Sequence, residues 1–577
     1  MSKQKTNEEI SLRYSIDENP PLMLSAGLGL QIVILIIGGI VLGPMIVLRA
    51  ADQPDVLVEW AIFAGLLVSG ITTIIQARPI WRFGAGFVLF MGTSGAFMAI
   101  SIDAIKAGGI PLLASLVVAS SLIQFLFSFH LAKLRSIVTP TVGGIVILLI
   151  AVTVFPIAFN MLNQTPANTE EGSFVGPLIA IVSFGVILAI SFFAKGAVRL
   201  WGPVIGVLAG CLLAGFYGAL DFSKVAQADW IGFPTATWPG LDASFRFEFW
   251  MLLIPFVIVT IVGAIETYGD GVAIQKLSHR EAQPTDYRAV QGAVNADGLG
   301  NLLSGLMGTL PNTTYSTSLS VVDLTGVAAR AVGIFGGAIL VLIAFSPKFA
   351  NLLMAIPTPV AGAYIMVLLM LLFLHGLRLI AEEGLDFEKG LVVCVSFWLG
   401  SGFQEKMIFH DHMPNWLTGL LDNGMTAGGL TAIILMSLLK LRSKGTQHVE
   451  LPAETISIST AQRFVDKYAR SQGWAESPRR KLELVLEEAM LFLLEGSSKQ
   501  VKPKDLRIGV QVITQGLQLE LLSGNSQDNF DSVSQAINQD QEPSSETAGL
   551  RILNSLADTV SHRQFHGTDV LVIAISK

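Results

Sequence analysis

The 577-residue chain is 52% hydrophobic and only 14% charged, with a formal net charge of −7. A mean hydropathy of +0.61 excludes an ordinary soluble protein and indicates a polytopic membrane protein. The two cysteines, Cys211 and Cys394, lie in apolar runs and suggest neither a disulfide framework nor a metal site, and the charges, partitioned by topology, point to no nucleic-acid partner.

Residues 1–20 are polar and the first apolar run is long enough to span, so no cleavable signal peptide is expected. Long apolar runs follow at about 22–48, 56–76, 109–131, 136–157, 174–194, 200–220, 248–269, 330–347, 358–377, 387–402 and 424–440. Weaker runs at about 84–102, 290–306 and 311–328 are rich in Gly, Ser, Thr and Asn, and bring the count to about fourteen spans. Basic residues follow the even-numbered spans: Arg78 and Arg82 after the second, Lys133 and Arg135 after the fourth, Lys440, Arg442 and Lys444 after the fourteenth. The loop 158–173 has acids but no Lys or Arg. The positive-inside rule therefore places both termini in the cytoplasm of a multi-pass protein of the inner or plasma membrane. The expected organisation is a cytoplasmic tail over 1–20, a membrane domain over 21–443 and a cytoplasmic α/β domain over 444–577.

The third and tenth spans are poor lipid-facing helices. Met91 to Phe97 and Pro311 to Ser320 are small and polar, and non-helical backbone is tolerated at membrane depth only where it is buried in protein or lines a cavity. Each lies third in a set of seven, which predicts an inverted repeat with a site between two interrupted helices. Their N-terminal N–H groups would face a ligand there. The eighth span carries two acids, Glu266 and Asp270, on one helical face. Ionisable groups at that depth are costly unless they meet a cavity, an ion or a partner, so this face is expected to bind substrate or ion.

Over about residues 13–440 the chain resembles the nucleobase–ascorbate transporters, or nucleobase:cation symporters. The markers are Tyr14 to Gln31, Gly92 to Phe97, Thr139 to Gly144, Gly202 to Gly206, Glu266-Thr267-Tyr268-Gly269-Asp270, Asn295 to Gly298, and Pro311 to Tyr315 followed by Thr325 to Arg330. The resemblance implies two inverted sevens split into core and gate domains. It also implies uptake of a nucleobase with H⁺ or Na⁺ as coupling ion, no other cofactor, no catalysis, and a homodimer in the lipid bilayer. On its pattern Glu266 hydrogen-bonds the base, Asp270 and Asp297 serve ion coupling, and Thr93, Ser94 and Gly95 supply contacts from span three. The chemistry agrees: a flat neutral ring edged with N–H donors is well held by an ionised carboxylate in a dry site.

The chain departs from that pattern at span ten, where Thr317, Ser318, Leu319 and Ser320 replace a Glu or Gln, Asn, any residue, and Gly. Thr317 and Ser318 are the substrate-binding candidates there, as hydroxyls rather than a carboxylate or amide. Ile32 replaces a usual His, and Gly95 lacks the aromatic of uracil carriers, leaving more room. Asp323 is an additional acid that could be a substitute ligand, a coupling-ion site, or a group facing the cytoplasmic end. Asp297 and Gly95 favour a purine-type base over uracil.

After Lys444, alternation in Leu506–Val512, Leu517–Leu522 and Val570–Ile575 predicts strands, and Pro478–Leu494 predicts a helix. This region resembles a histidine-kinase-type ATPase domain of the anti-sigma-factor sort. The Asn that would carry Mg²⁺ is Phe492, and no clear Asp-x-Gly occurs near 523–528. A degenerate regulatory or dimerisation module that does not bind ATP is expected, one that could meet a cytoplasmic regulatory protein, with a mobile loop over 523–547. His375 reads as a packing residue, and His410 and His412 as parts of a solvated loop. Two alternatives to a symporter stand: an inverted-repeat anion carrier, which should carry a basic residue between the half-helices, and a membrane sensor that has lost transport.

Overall fold

The structure, a computed structural model, describes residues 12–129, 139–166, 168–170, 172–234, 237–280, 283, 285–382, 384–414, 417, 421–442, 447–452, 457–495, 505–513, 516–523, 552–553, 555–565 and 568–576. By contact the chain divides into two units. The first is Met1–Ser128, Ser136–Glu281 and Gly292–Met436; the second is Phe129–Arg135, Ala282–Gln291 and Ser437–Lys577.

The helices run in order α1 (Leu22–Ala50), α2 (Asp55–Ala77), α3 (Met98–Phe129), α4 (Pro140–Leu162), α5 (Val175–Phe193), α6 (Gly202–Phe216), α7 (Phe247–Ser278), α8 (Tyr287–Met307), α9 (Thr317–Thr325), α10 (Arg330–Ala344), α11 (Thr358–Glu382), α12 (Phe387–Gln404) and α13 (Gly424–Arg442). Seven of the described helices are long and apolar enough to cross a membrane, or eight with the bent pair Arg330–Ala344 and Pro347–Met354. The remaining helices that match spans read from the sequence are short, polar or interrupted. Helix α3 is itself two pieces, 98–107 and 110–129. Gly108 and Gly109 break it, and the positive φ of 76° at Gly109 suits glycine. The first piece completes span three and the second is span four.

Two three-residue strands mark the interruptions: β1 (Met91–Thr93) before the third span's helix and β2 (Asn312–Thr314) before the tenth's. They pair antiparallel, Met91 with Thr314, Gly92 with Thr313 and Thr93 with Asn312. This pairing satisfies backbone groups that lipid could not, and it places the third member of each set of seven head to head. Elsewhere, small residues let helices approach. A Cβ built on Gly144 in α4 would lie 2.7 Å from the carbonyl oxygen of Gly376 in α11, the close contact expected of small residues between membrane helices.

In the second unit, strands β3 (Gln447–Pro452), β4 (Asp505–Ile513), β5 (Gly516–Ser523), β6 (Thr559–Phe565) and β7 (Thr568–Ser576) form one antiparallel sheet in the order β3-β4-β5-β7-β6. Helices α14 (Ser457–Ser471) and α15 (Glu476–Glu495) share a core with it, Val465, Leu482 and Leu486 joining Ile508, Leu519 and Ile573. The three strands and the helix read from the sequence are present; β3, β6 and α14 add to them. Residues 524–547 of the loop expected to be mobile lie outside the described residues.

Candidate functional site

Thr314 closes β2, and Ser316 follows two residues on. The period of two in extended backbone sends both side chains the same way, toward α7. There Asp270, 6% exposed, accepts a hydrogen bond from Thr314 Oγ1 at 2.8 Å on Oδ2 and from Ser316 Oγ at 2.9 Å on Oδ1. Thr267, one turn earlier on α7, meets Thr314 Oγ1 at 3.2 Å and faces Asp297 on α8.

Asp297 is 1% exposed and anchors a buried polar chain. Gln124 Nε2 donates to its Oδ2 at 2.6 Å, Asn301 Nδ2 donates to Gln124 Oε1 at 2.8 Å, and the Asn312 backbone N–H donates to Asn301 Oδ1 at 2.8 Å. Asn312 Nδ2 continues to Ser69 Oγ at 3.0 Å. Spans two, four, nine and ten are thus joined by amides whose donors and acceptors are used in turn. Asp297 Oδ1 is left without a hydrogen-bond partner among the described residues.

Glu266 is half-buried on α7 and in electrostatic contact with Asp270, Asp297 and Tyr315. No described residue donates a hydrogen bond to it, and no described Lys or Arg forms an ion pair with any of the three acids. Tyr315 leads from β2 into α9. Its hydroxyl donates to the Thr93 carbonyl at 2.8 Å and its ring lies on Gly92, where a Cβ would come within 2.5 Å. Tyr364 on α11 lies close enough to Tyr315 to interact with it electrostatically.

Both half-helices begin beside this group. Ser94 and Ser316 occupy their N-cap positions without side-chain caps; the Phe97, Ser318 and Leu319 N–H groups already donate to Ser94, Tyr315 and Ser316 carbonyls, which leaves those of Gly95 and Thr317 to face a ligand. Gly95 is exposed, and a Cβ there would meet nothing within 4 Å. Thr317 is half-buried at the start of α9.

The nine candidates from the sequence do not all converge. Glu266, Asp270, Asp297, Ser94, Gly95 and Thr317 gather around the β1–β2 ribbon. Thr93 reaches it by its carbonyl, its hydroxyl donating to Ile40 O at 3.1 Å. The structure does not bring Ser318 to the gap: it is fully buried and its Oγ accepts from Phe90 N at 2.9 Å. Asp323 is exposed, six residues and about 9 Å of helical rise beyond Thr317. Thr314, Ser316, Asn312 and Tyr315 lie in the interrupted tenth span marked from the sequence but are not among the nine candidates, and Gln124, Asn301 and Tyr364 are not singled out at all. Gln124 did leave a signal, a lone amide in the apolar run 109–131. Away from the site, His375 is half-buried in α11, and His410 Nδ1 meets Asp422 Oδ1 at 3.2 Å. Among the described residues no cluster of His, Cys, Asp or Glu could hold a metal.

A cavity of about 540 Å³ opens not at the three acids but toward the Arg49 end of the bundle. Ala99, Ile102, Asp103 and Lys106 of α3 are among its lining residues.

Seven or eight membrane-length apolar helices, with two interrupted segments paired head to head beside buried acids, define a multi-pass membrane protein with the candidate site of a carrier. The model of the xanthine/uracil permeases, described as the permease family, matches residues 25–407, and the chain belongs to that family. It is 28% identical over 446 residues to the xanthine permease XanP of Escherichia coli, covering 75% of this chain and 95% of that one. It is also 28% identical over 427 residues to the uric acid permease PucK of Bacillus subtilis, covering 73% and 97%. Among solved structures, the murine Solute Carrier 26 family member A9 anion transporter in its inward-facing state aligns with a TM-score of 0.50 at 13% identity, covering 76% of this chain and 71% of that one. That likeness concerns the fold alone.

Proposed function

We propose that the chain is a secondary active symporter for a nucleobase, of the purine type, coupled to H⁺ or Na⁺. One observation carries this reading: Glu266 is an acid at membrane depth with no hydrogen-bond donor among the described residues, whereas Asp270 and Asp297 beside it are both held. A carboxylate in that position is free to accept two N–H groups from a neutral heterocycle, while the half-helix N–H groups at Gly95 and Thr317 meet its carbonyl edge. Asp270, gripped by Thr314 and Ser316, changes its bonds if a proton or Na⁺ arrives, and this links the coupling ion to the tenth span. The open space at Gly95 and the xanthine and uric acid permeases among the relatives support a purine. The anion alternative would need a basic residue facing the gap, and among the described residues no Lys or Arg forms an ion pair with the three acids there.

Both termini are proposed to be cytoplasmic, the assembly a homodimer, and the tail a regulatory module that holds no nucleotide. Phe492, which stands where a Mg²⁺-carrying Asn would be needed, packs edge-on against His562 with ring centroids 5.8 Å apart.

The test is uptake of labelled xanthine, urate, guanine, uracil and sulfate into cells without their own permeases, with Glu266→Gln in parallel. The expected result is purine uptake that falls by at least about 100-fold in kcat/KM in the variant, since a carboxylate's paired charge-assisted bonds are lost. Uptake unaffected by Glu266→Gln, or uptake of sulfate alone, would overturn the reading.

A further inference from the structure

The cavity toward the Arg49 end is not used by that mechanism, yet it is built like a site. Its volume of about 540 Å³ falls within the range of small-molecule pockets. Ala99, Ile102, Asp103 and Lys106 line it and lie with Gly95 on one face of the third span's half-helix, at spacings of three and four residues. The face that starts at the central gap therefore continues into the cavity, and Asp103 is about 12 Å of helical rise from Gly95. Ile46 and Met161 are among the apolar residues that wall the space.

Its polar groups are mixed in sign. Asp103 and Lys106 stand one turn apart and interact electrostatically. Asn423 steadies the carboxylate: its Oδ1 accepts from Thr426 N at 3.1 Å and Thr426 Oγ1 at 3.2 Å, so its amide N–H₂ is left to donate to Asp103. An acceptor and a donor side by side match a neutral ring edge that carries N–H next to C=O. A pocket of one sign would select an ion instead.

We propose that this cavity is a second solute subsite for a neutral planar heterocycle, held by Asp103 and Lys106, where solute waits between the bulk and the Glu266 site. The ligand class rests on the nucleobase reading above. Loading this subsite raises the local solute concentration at the central gap, so it acts on KM more than on kcat.

The experiment measures equilibrium binding of radiolabelled xanthine to the purified full chain, together with uptake. The wild type should show two classes of site. Glu266→Gln should remove one class and transport with it. Asp103→Asn combined with Lys106→Met should remove the other and raise the uptake KM about tenfold with kcat little changed, about 1.4 kcal/mol of binding. Asn160→Trp, which fills the cavity from an exposed position, should act like the double variant and guards against a folding defect in it. A single class of site in the wild type, or two classes surviving both cavity variants, overturns the subsite and leaves the nucleobase reading intact. Absence of xanthine, urate and uracil binding and uptake in the wild type overturns both.

Discussion

The Thr314 hydroxyl donates to Asp270 across 2.8 Å, and this bond joins the interruption of the tenth span to the acidic face of the eighth. Thr314 ends the strand that pairs with β1, so a change in the charge of Asp270 is felt at the ribbon holding both half-helices. Thr314→Val keeps the shape and removes the donor. A hydrogen bond to a charged group contributes about 1.5–3 kcal/mol, so kcat/KM for purine uptake should fall roughly 10- to 100-fold. The dependence of uptake on pH or Na⁺ should shift with it; initial-rate uptake across both variables measures this. Unchanged ion dependence would remove Asp270 from the coupling step.

Gly95 offers a second, separable test. A Cβ there meets no neighbour within 4 Å, so Gly95→Ala should fold as the wild type does. Gly95→Phe would fill the open space at the start of the third span's half-helix and should cut purine uptake by at least about tenfold while sparing uracil, because a filled pocket discriminates by size at about 1–3 kcal/mol per misfit. Competition of unlabelled purines against labelled uracil measures the ratio. Equal losses for both bases would show that Gly95 does not set size.

Much of this was legible in the chain, and the misses have two physical origins. The broken third and tenth spans declared themselves because small polar residues cannot face lipid, and Glu266 and Asp270 because four-residue spacing places two acids on one face. Ser318 misled because the ribbon hands over to a helix at Ser316. On one side of that junction the side-chain period is two, and on the other it is 3.6, so a small shift in where the helix begins decides which hydroxyl reaches the acids. The structure gives that role to Thr314 and Ser316. The amide chain from Gln124 to Asn312 was missed for a different reason: Gln124 stands only as a lone amide in its run, and its partner Asn301 lies 177 residues away, so only the tertiary fold brings them into contact.

The approach of α4 to α11 predicts a stability effect that is independent of transport chemistry. A Cβ at Gly144 would lie 2.7 Å from the carbonyl oxygen of Gly376. That neighbour is backbone and cannot swing aside, so Gly144→Val should destabilise the membrane domain by about 1–3 kcal/mol through overpacking. A lower midpoint in a detergent thermal-unfolding series would show it. An unchanged midpoint would mean that the helices separate without penalty.

The tail domain should respond to acid through His562. This side chain is buried in β6, 3.9 Å from Asp569 on β7, with Phe492 against its ring. Burial, and secondarily the Arg288 guanidinium, pushes its pKa from 6.5 down to about 4. The folded state therefore keeps the ring neutral while the unfolded chain protonates it as pH drops below 6.5. Stability from this group is intact above pH 6.5 and declines as pH falls toward 4, by at most about 3 kcal/mol. Hydrogen exchange of the β6 and β7 amides in the full chain, compared at pH 7 and pH 5, should show faster opening at the lower pH once intrinsic exchange rates are corrected. His562→Leu should flatten that difference. If the variant keeps the same pH slope as the wild type, another group, with Asp569 the first to examine, controls the acid response.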